Sequence, residues 1–307
     1  MHPVGVTVGP LDREVGKAGP SWGWSARGIP CADRPRTGTL TAVTYSLAII
    51  GGGNMGEALL GGLLEARWAE PGALVVVEVL PTRRAQLVER YPGVAVVPSI
   101  PEAEGALIAV KPGDAAAAVK AAVESGATRV LSIAAGVTVA ALEQAAGHPV
   151  AVVRAMPNTP ALVRAGASAI APGSHAGPED LLWAESILSA VGTVVRLQEA
   201  QLDAFTGLIG SGPAYLYLVT EALIDAGVLV GLPRPAAQAA VTQLLLGSAR
   251  LLAETGELPE VLRANVTSPG GTTAAGLREL ERHGVRGAVL AAVEAATERS
   301  RELGAPK

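Results

Sequence analysis

Four hydroxyl side chains fall within seven consecutive residues: Thr267, Ser268, Thr272 and Thr273 enclose Pro269, Gly270 and Gly271, and a helical pattern follows directly. A helix start needs one such oxygen, which accepts from one or two of the free backbone amides there. Capping therefore accounts for one hydroxyl and leaves three unexplained. Hydroxyls, free amides and low side-chain bulk at a helix N-terminus suit an anion such as a carboxylate. With no His, Cys or Lys in the stretch, its chemistry is binding and hydrogen bonding, not strong acid catalysis.

A second chemical signal lies near the start of the ordered pattern. In "YSLAIIGGGNMGEALLGGLLEAR" an apolar strand, Leu47 to Ile50, runs through Gly51, Gly53 and Gly56 into a helical pattern from Glu57 to about Ala66. In a dinucleotide-binding fold the first glycine permits the tight turn, the second lets backbone approach the pyrophosphate and the third lets helix and strand pack closely. Asn54 and Met55 lie inside this turn. The next strand, Ala73 to Val79, places Glu78 roughly where such folds hold an acidic residue near the adenosine ribose. A carboxylate there favours NADH; Arg83 and Arg84, which follow closely, could instead pair with a 2'-phosphate. All three could equally be solvated charges at a strand end, so these residues leave cofactor choice open.

The elements that would position these groups alternate. Strand-like runs recur at Ala106 to Val110, Arg129 to Val137, Pro149 to Pro160, Gly166 to Gly173 and Gly192 to Leu197, with helical runs between them. The pattern predicts a parallel, doubly wound sheet whose ligands sit beyond the carboxyl ends of the strands. Lys111-Pro112, Gly136 and Met156-Pro157-Asn158-Thr159 fall at such ends and would form one cofactor rim. After about Glu199 the strand signals stop. A Ser211-Gly212-Pro213 turn opens a long apolar helix, residues 234 to 254 keep helical spacing, and two more helices begin after Gly271 and near Val285. The stretch from Ala214 to Ala226 is apolar on nearly all sides, which predicts burial in a larger helical assembly, as a dimer would supply.

Composition bounds the reading. The chain's 307 residues allow roughly two domains, and 49% hydrophobic with 17% charged residues describe a globular protein. A net charge of -4 and 3% aromatics argue against nucleic-acid binding. The single cysteine, Cys31, excludes an internal disulfide framework and a multi-thiolate metal site and fits a reducing cytoplasm. His2, His148, His175 and His283 show no metal-ligand spacing, so no metal is expected. Residues 1–44, rich in Gly, Pro and Arg and holding Trp22 and Trp24, are expected to be a disordered extension, or the product of a start assigned too far upstream; they lack a secretory pattern. Glu221 could orient a partner, line the site or be a satisfied carboxylate at a dimer contact, and Arg154 is divided between an ion pair and a cofactor contact.

The motifs "IIGGGNMGEALLGGLL", "AVKP", "SIAAGV", "VVRAMPNTP", "GSGPAY" and "VTSPGGTTAAGLREL" resemble, in order and across residues 45 to about 303, those of the pyrroline-5-carboxylate reductase family, with the last the most specific. The resemblance implies an α/β fold: a Rossmann-like doubly wound N-terminal domain, residues 45–198, followed by an all-helical C-terminal dimerisation and substrate-binding domain, residues 199–307. It implies reduction of L-1-pyrroline-5-carboxylate to L-proline, the last step of proline biosynthesis. Gly51, Gly53, Asn54, Met55, Gly56, Ala109, Val110, Lys111, Pro112 and Asn158 would bind the cofactor. Ser211, Ser268, Gly270, Gly271, Thr272 and Thr273 would hold the substrate, with Thr273 nearest the ring nitrogen and catalytic. Members form interlocked dimers, often assembled into decamers, with each active site between one subunit's cofactor domain and the partner's helical domain; neither nucleic acid nor membrane is a partner. Most prefer NADPH, which favours NADPH here, with NADH possible. Two departures bear on that choice. The run before "AVKP" is shorter than usual, which would trim or remove a helix near the adenosine pocket, and Val79 stands where many members have an arginine.

Two alternatives share the glycine turn. A related imine, hydroxyacid or deazaflavin-dependent reductase would lack the SPGGTT turn and carry a catalytic lysine. A catalytically inactive nucleotide-binding homologue would show eroded substrate residues.

Overall fold

The computed structural model describes residues 44–304. The expected extension, with His2, Trp22, Trp24 and Cys31, lies outside the described residues except for Thr44.

Eight strands form one sheet: β1 (Tyr45–Ile50), β2 (Leu74–Val77), β3 (Ala95–Val97), β4 (Ala103–Ile108), β5 (Arg129–Ser132), β6 (Ala151–Met156), β7 (Gly166–Pro172) and β8 (Gly192–Arg196), in the order β3-β2-β1-β4-β5-β6-β7-β8. Successive side chains of a strand face opposite sides, and both sides are apolar. Leu47 and Ile49 of β1 join one core, with Leu59, Leu60 and Leu63 of α1 (Asn54–Glu65) and Leu87 of α2 (Pro81–Arg90). Ala48 and Ile50 join the other, with Val119 of α3 (Pro112–Glu124) and Leu142 of α4 (Val139–Ala146). Trp183 and Ile187 of α5 (Pro178–Leu188) pack on the first side. Helices thus cover both faces, the doubly wound Rossmann-like arrangement.

The sheet departs from the all-parallel expectation at one seam. β6 and β7 pair antiparallel, Val153 opposite Pro172 and Met156 opposite Ala169, whereas β7 and β8 pair parallel. Only nine residues, with a 3₁₀ turn at Thr159–Val163, separate β6 from β7. A parallel return needs a crossover of a dozen or more, so the chain doubles back. Several strands are shorter than expected: β2 stops at Val77, before Glu78, and β5 stops at Ser132, before Gly136. The sequence pattern does not show β3. Five residues carry the chain from β3 to β4 with no helix between them, so the shortened run removes that helix entirely.

The C-terminal half is helical. A 3₁₀ turn (Glu199–Gln201), α6 (Leu202–Phe205), a π turn (Thr206–Gly210) and α7 (Gly212–Leu229) form a nearly continuous run, and the expected turn at Ser211 is a bend within it. α8 (Arg234–Thr255), α9 (Pro259–Asn265), α10 (Thr272–Arg282) and α11 (Val285–Gly304) follow, of which the short α9 has no counterpart in the sequence pattern. α11 packs against α6 and the π turn, and α7 packs against α8. No residue of α7 is buried within the single chain, and in α8 only Ala237 is.

Candidate functional site

The three turn glycines meet different surroundings. Gly51 has φ +109°, and a Cβ there would lie 2.5 Å from the Ala109 carbonyl oxygen. At Gly53 an added Cβ meets nothing within 4 Å; at Gly56 it would lie 2.0 Å from the Gly51 carbonyl oxygen. The turn, the open approach and the tight helix-strand contact are therefore separate functions of separate residues. α1 starts at Asn54, three residues earlier than the sequence pattern indicated, and its N-cap Gly53 supplies no side-chain bond. Asn54, Met55 and Gly56 form its first turn, whose amides lack intrahelical partners. An open glycine beside free amides fits the pyrophosphate of a dinucleotide.

Two of the strand ends expected to form a rim, at Pro112 and Gly136, meet at one cleft, which Met156 to Thr159 do not line. Ala109 donates its amide to the Ile50 carbonyl at 2.8 Å, and Val110 stands beside Gly51. Pro112 and Gly136 then line a cleft of about 620 Å³ whose opposite wall is Thr206, Ser211 and the last turns of α11, from Ala296 to Leu303. Lys111, the N-cap of α3, is exposed at this rim. Asn54 instead borders a separate groove of about 410 Å³ on the outward side of α1.

The π turn explains how Ser211 reaches the cleft. Ser211 N–H donates to the Thr206 carbonyl at 2.9 Å, a bond one residue wider than in an α-helix. Asn158 fastens this turn: its Nδ2 donates to the Ile209 carbonyl at 3.3 Å while its Oδ1 accepts the Ala167 amide at 2.9 Å. The side chain expected to meet cofactor is thus engaged in joining the sheet to the helical half. Gly210 passes so close to Met156 that a Cβ would lie 2.8 Å from the Met156 methyl carbon, and at Gly207 a Cβ would lie 2.3 Å from the Thr297 hydroxyl oxygen. These contacts set the path of the π turn; the Ser211 hydroxyl has no hydrogen-bond partner among the described residues.

The hydroxyl-rich turn takes a shape that accounts for its missing bulk. Gly270 has φ +67°, a left-handed conformation that glycine adopts without strain. A Cβ on Gly271 would lie 2.3 Å from the Ser268 hydroxyl oxygen. The expectation that one hydroxyl caps α10 is incorrect: the N-cap is Gly271, with no side-chain bond. Thr267 donates backward to the Arg263 carbonyl at 2.6 Å, and the side-chain hydroxyls of Ser268, Thr272 and Thr273 make no hydrogen bond among the described residues, while the Ser268 carbonyl accepts the Gly271 amide at 3.0 Å. Two glycine-started helices, α1 and α10, therefore both present uncapped amides. The second does not wall the 620 Å³ cleft of its own chain.

The remaining charges divide clearly. Arg154 is buried and donates to Glu199 at 2.9 Å, an ion pair; the same carboxylate oxygen accepts the Val139 amide at 2.6 Å. Glu221 is exposed on the single chain, as are His148, His175 and His283. Among the described residues no group of three or more His, Cys, Asp or Glu is placed to hold a metal. Sequence reasoning missed the cluster behind the glycine turn, where Glu57 binds Arg83, Arg90 at 2.9 Å and the Tyr91 hydroxyl at 3.3 Å. Burial, and then the Glu57 charge, push the Tyr91 phenol above its ordinary value. A glutamate one position after the third glycine was the available signal.

Residues 199–303 match the family model described as pyrroline-5-carboxylate reductase dimerisation, and residues 46–136 match that described as NADP oxidoreductase coenzyme F420-dependent. The chain is 46% identical over 269 residues to a pyrroline-5-carboxylate reductase of Synechocystis sp., covering 85% of this chain and 99% of the relative. It is 45% identical over 285 residues to one from Mycobacterium tuberculosis, covering 84% and 96%. Among solved structures, a pyrroline-5-carboxylate reductase from Coxiella burnetii superposes with a TM-score of 0.80 at 34% identity, over 86% of this chain and all of that one. The Plasmodium falciparum pyrroline carboxylate reductase, solved with NADP bound, gives 0.75 at 29% identity over 86% and 100%.

Proposed function

The chain belongs to the pyrroline-5-carboxylate reductase family, and from that premise we propose how its own residues carry the reaction. The activity is reduction of the cyclic imine L-1-pyrroline-5-carboxylate to L-proline, the closing step of proline biosynthesis, with a nicotinamide dinucleotide. Gly51, Gly53 and the first amides of α1 hold the pyrophosphate, and Ala109 to Pro112 continue the bed toward Gly136 and the cleft. When bound there, the nicotinamide supplies a hydride.

The substrate is an anion with a basic imine nitrogen. Its carboxylate is held by the uncapped amides of α10 and the hydroxyls of Ser268 and Thr272, which no protein group occupies. The imine enters protonated, as an iminium. Hydride adds to the imine carbon, the C=N π electrons collapse onto nitrogen, and the positive charge is cancelled. No separate acid is needed, consistent with a turn made of hydroxyls and glycines. Thr273, half-buried in the first turn of α10, hydrogen-bonds the nitrogen, and Ser211 closes the cleft side. Holding both reactants in contact converts the transfer into an effectively intramolecular step.

The observation that carries this reading is the separation of the two half-sites. The cleft with Ser211 and the cofactor rim lies on one chain, while the Ser268–Thr273 turn, exposed except at the half-buried Gly271 and Thr273, lies outside that cleft. A second copy brings its turn to the first copy's cleft, with the helical half, from residue 199 onward, as the dimerisation and substrate-binding domain. The Glu199–Leu229 helical run is long and apolar enough to cross a membrane by length and composition, but it lies within the dimerisation match, and its apolar surface is the subunit interface. We place the enzyme in the cytoplasm as a homo-oligomer of such dimers.

Mixing purified protein with pyrroline-5-carboxylate and reduced nicotinamide dinucleotide, and following reduced-nicotinamide absorbance, tests the activity; no oxidation with NADH or NADPH would overturn it. Thr273→Ala is expected to lower kcat by about tenfold or more with an unchanged melting temperature. An unchanged proline-forming rate would remove Thr273 from the mechanism.

A further inference from the structure

Beyond the end of β2, the adenosine side of the glycine turn carries opposite charges engaged with backbone and with neighbouring side chains. Glu78 is only 9% exposed, and each carboxylate oxygen accepts one amide: Gly52 N–H at 3.1 Å and Leu80 N–H at 2.8 Å. Arg83 donates through Nε to the Gly52 carbonyl at 2.7 Å, through Nη1 to Gln86 at 3.2 Å and through Nη2 to Glu57. All three of its nitrogens therefore already have acceptors. Arg84 is held at the strand end through Nη1, which donates to the carbonyl oxygens of Glu78 and Val79, each at 2.9 Å, while its Nε and Nη2 make no hydrogen bond among the described residues. Gly52 is thus gripped through the peptides on both its sides, its N–H by a carboxylate and its C=O by a guanidinium. The two residues after Glu78, Val79 and Leu80, are apolar and 74% and 60% exposed.

A ribose 2'-hydroxyl is a donor that a fixed carboxylate accepts, whereas a 2'-phosphate beside that carboxylate meets repulsion and needs a free cation. Taking the dinucleotide site where the family reading puts it, we infer that its adenosine-ribose pocket selects NADH over NADPH, with Glu78 as the specificity-determining residue. Arg83 is a positioning residue: it fixes the Gly52 peptide and does not read a phosphate. Val79 leaves the phosphate edge without the second arginine that many members carry, and Arg84, the cation that remains there, is tied back through Nη1 to the backbone beside the Glu78 carboxylate. The NADPH preference implied by resemblance does not carry over to this edge.

The test is direct binding by the full chain, titrated separately with NADH and NADPH in a calorimeter, without imine substrate. NADH is expected to bind about tenfold or more tightly than NADPH, a difference of about 1.4 kcal/mol. Arg83→Gln is expected to weaken both by the same factor and leave their ratio unchanged. Val79→Arg, at an exposed position, is expected to tighten NADPH alone by about tenfold. NADPH binding as tightly as NADH in the unaltered chain, selective loss of NADPH in Arg83→Gln, or no NADPH gain in Val79→Arg would each overturn the inference while leaving the reductase reading intact. Binding of neither dinucleotide would overturn that reading and the inference with it.

Discussion

Gly53 and Gly56 stand three residues apart in one turn, yet an added methyl meets opposite surroundings at the two. At Gly53 the backbone is already extended, with φ -69° and ψ -175°, and the space beyond is empty. Gly53→Val should therefore fold normally, with a melting temperature within about 2 °C of the parent. Its side chain would fill the pyrophosphate position, so dinucleotide affinity should fall by about tenfold or more. At Gly56 the same addition lies 2.0 Å from the Gly51 carbonyl, and the helix must move away from the turn. Gly56→Ala is expected to destabilise by about 2 kcal/mol or more and to lose binding with it. Thermal melts paired with calorimetric titration separate the two outcomes; equal melting temperatures for both variants would contradict these assignments.

At the scale of elements, the π turn places Ser211, and Asn158 holds the π turn. Removing the Asn158 side chain leaves the Ala167 amide and the Ile209 carbonyl without partners in a half-buried place, a cost of about 1–3 kcal/mol. Asn158→Ala should accordingly lower the melting temperature and raise KM for the imine more than for the dinucleotide; a rise confined to the dinucleotide would instead restore Asn158 to the cofactor bed. Nothing in the sequence announces this role. A π turn arises where one extra residue is accommodated by packing, here the approach of Gly207 to Thr297 and of Gly210 to Met156, and such contacts join residues far apart in the chain. The glycine turn, by contrast, is legible because its determinants are local. The long helices are legible for the same reason, since spacing places α8 and α10 to within about a residue. β3 escapes because three residues cannot show a period, and the direction of β7 escapes because strand pairing is non-local. The chemistry of the hydroxyl-rich turn is legible in residue type, but its capping role is not, since that depends on where each oxygen points.

At the scale of the whole molecule, the proposed function leaves the single chain incomplete by surface as well as by site. Tyr217, Leu218 and Leu229 of α7 are 62%, 67% and 86% exposed. Exposed apolar surface of this kind, in a region that matches a dimerisation family model, is what a subunit interface would cover, and in the proposed isologous dimer α7 and α8 would cover each other across the two-fold axis. The all-round apolarity of α7 makes this readable from residue types alone; which residues from two copies meet is not readable, because no sequence pattern encodes the symmetry. The composite site yields the sharpest test. Gly53→Val impairs a chain's cofactor half and Thr273→Ala its substrate half, and at a dinucleotide concentration well below saturation each variant alone should retain about a tenth of the parent activity or less. Co-expressed, they form mixed dimers in which one site combines both defects while the other combines the intact cofactor half of one chain with the intact turn of the other. With random pairing, half the dimers are mixed and half their sites are whole, so activity should return to roughly a quarter of the parent. A site contained within one chain predicts no recovery, because every chain then carries a defect in its own site.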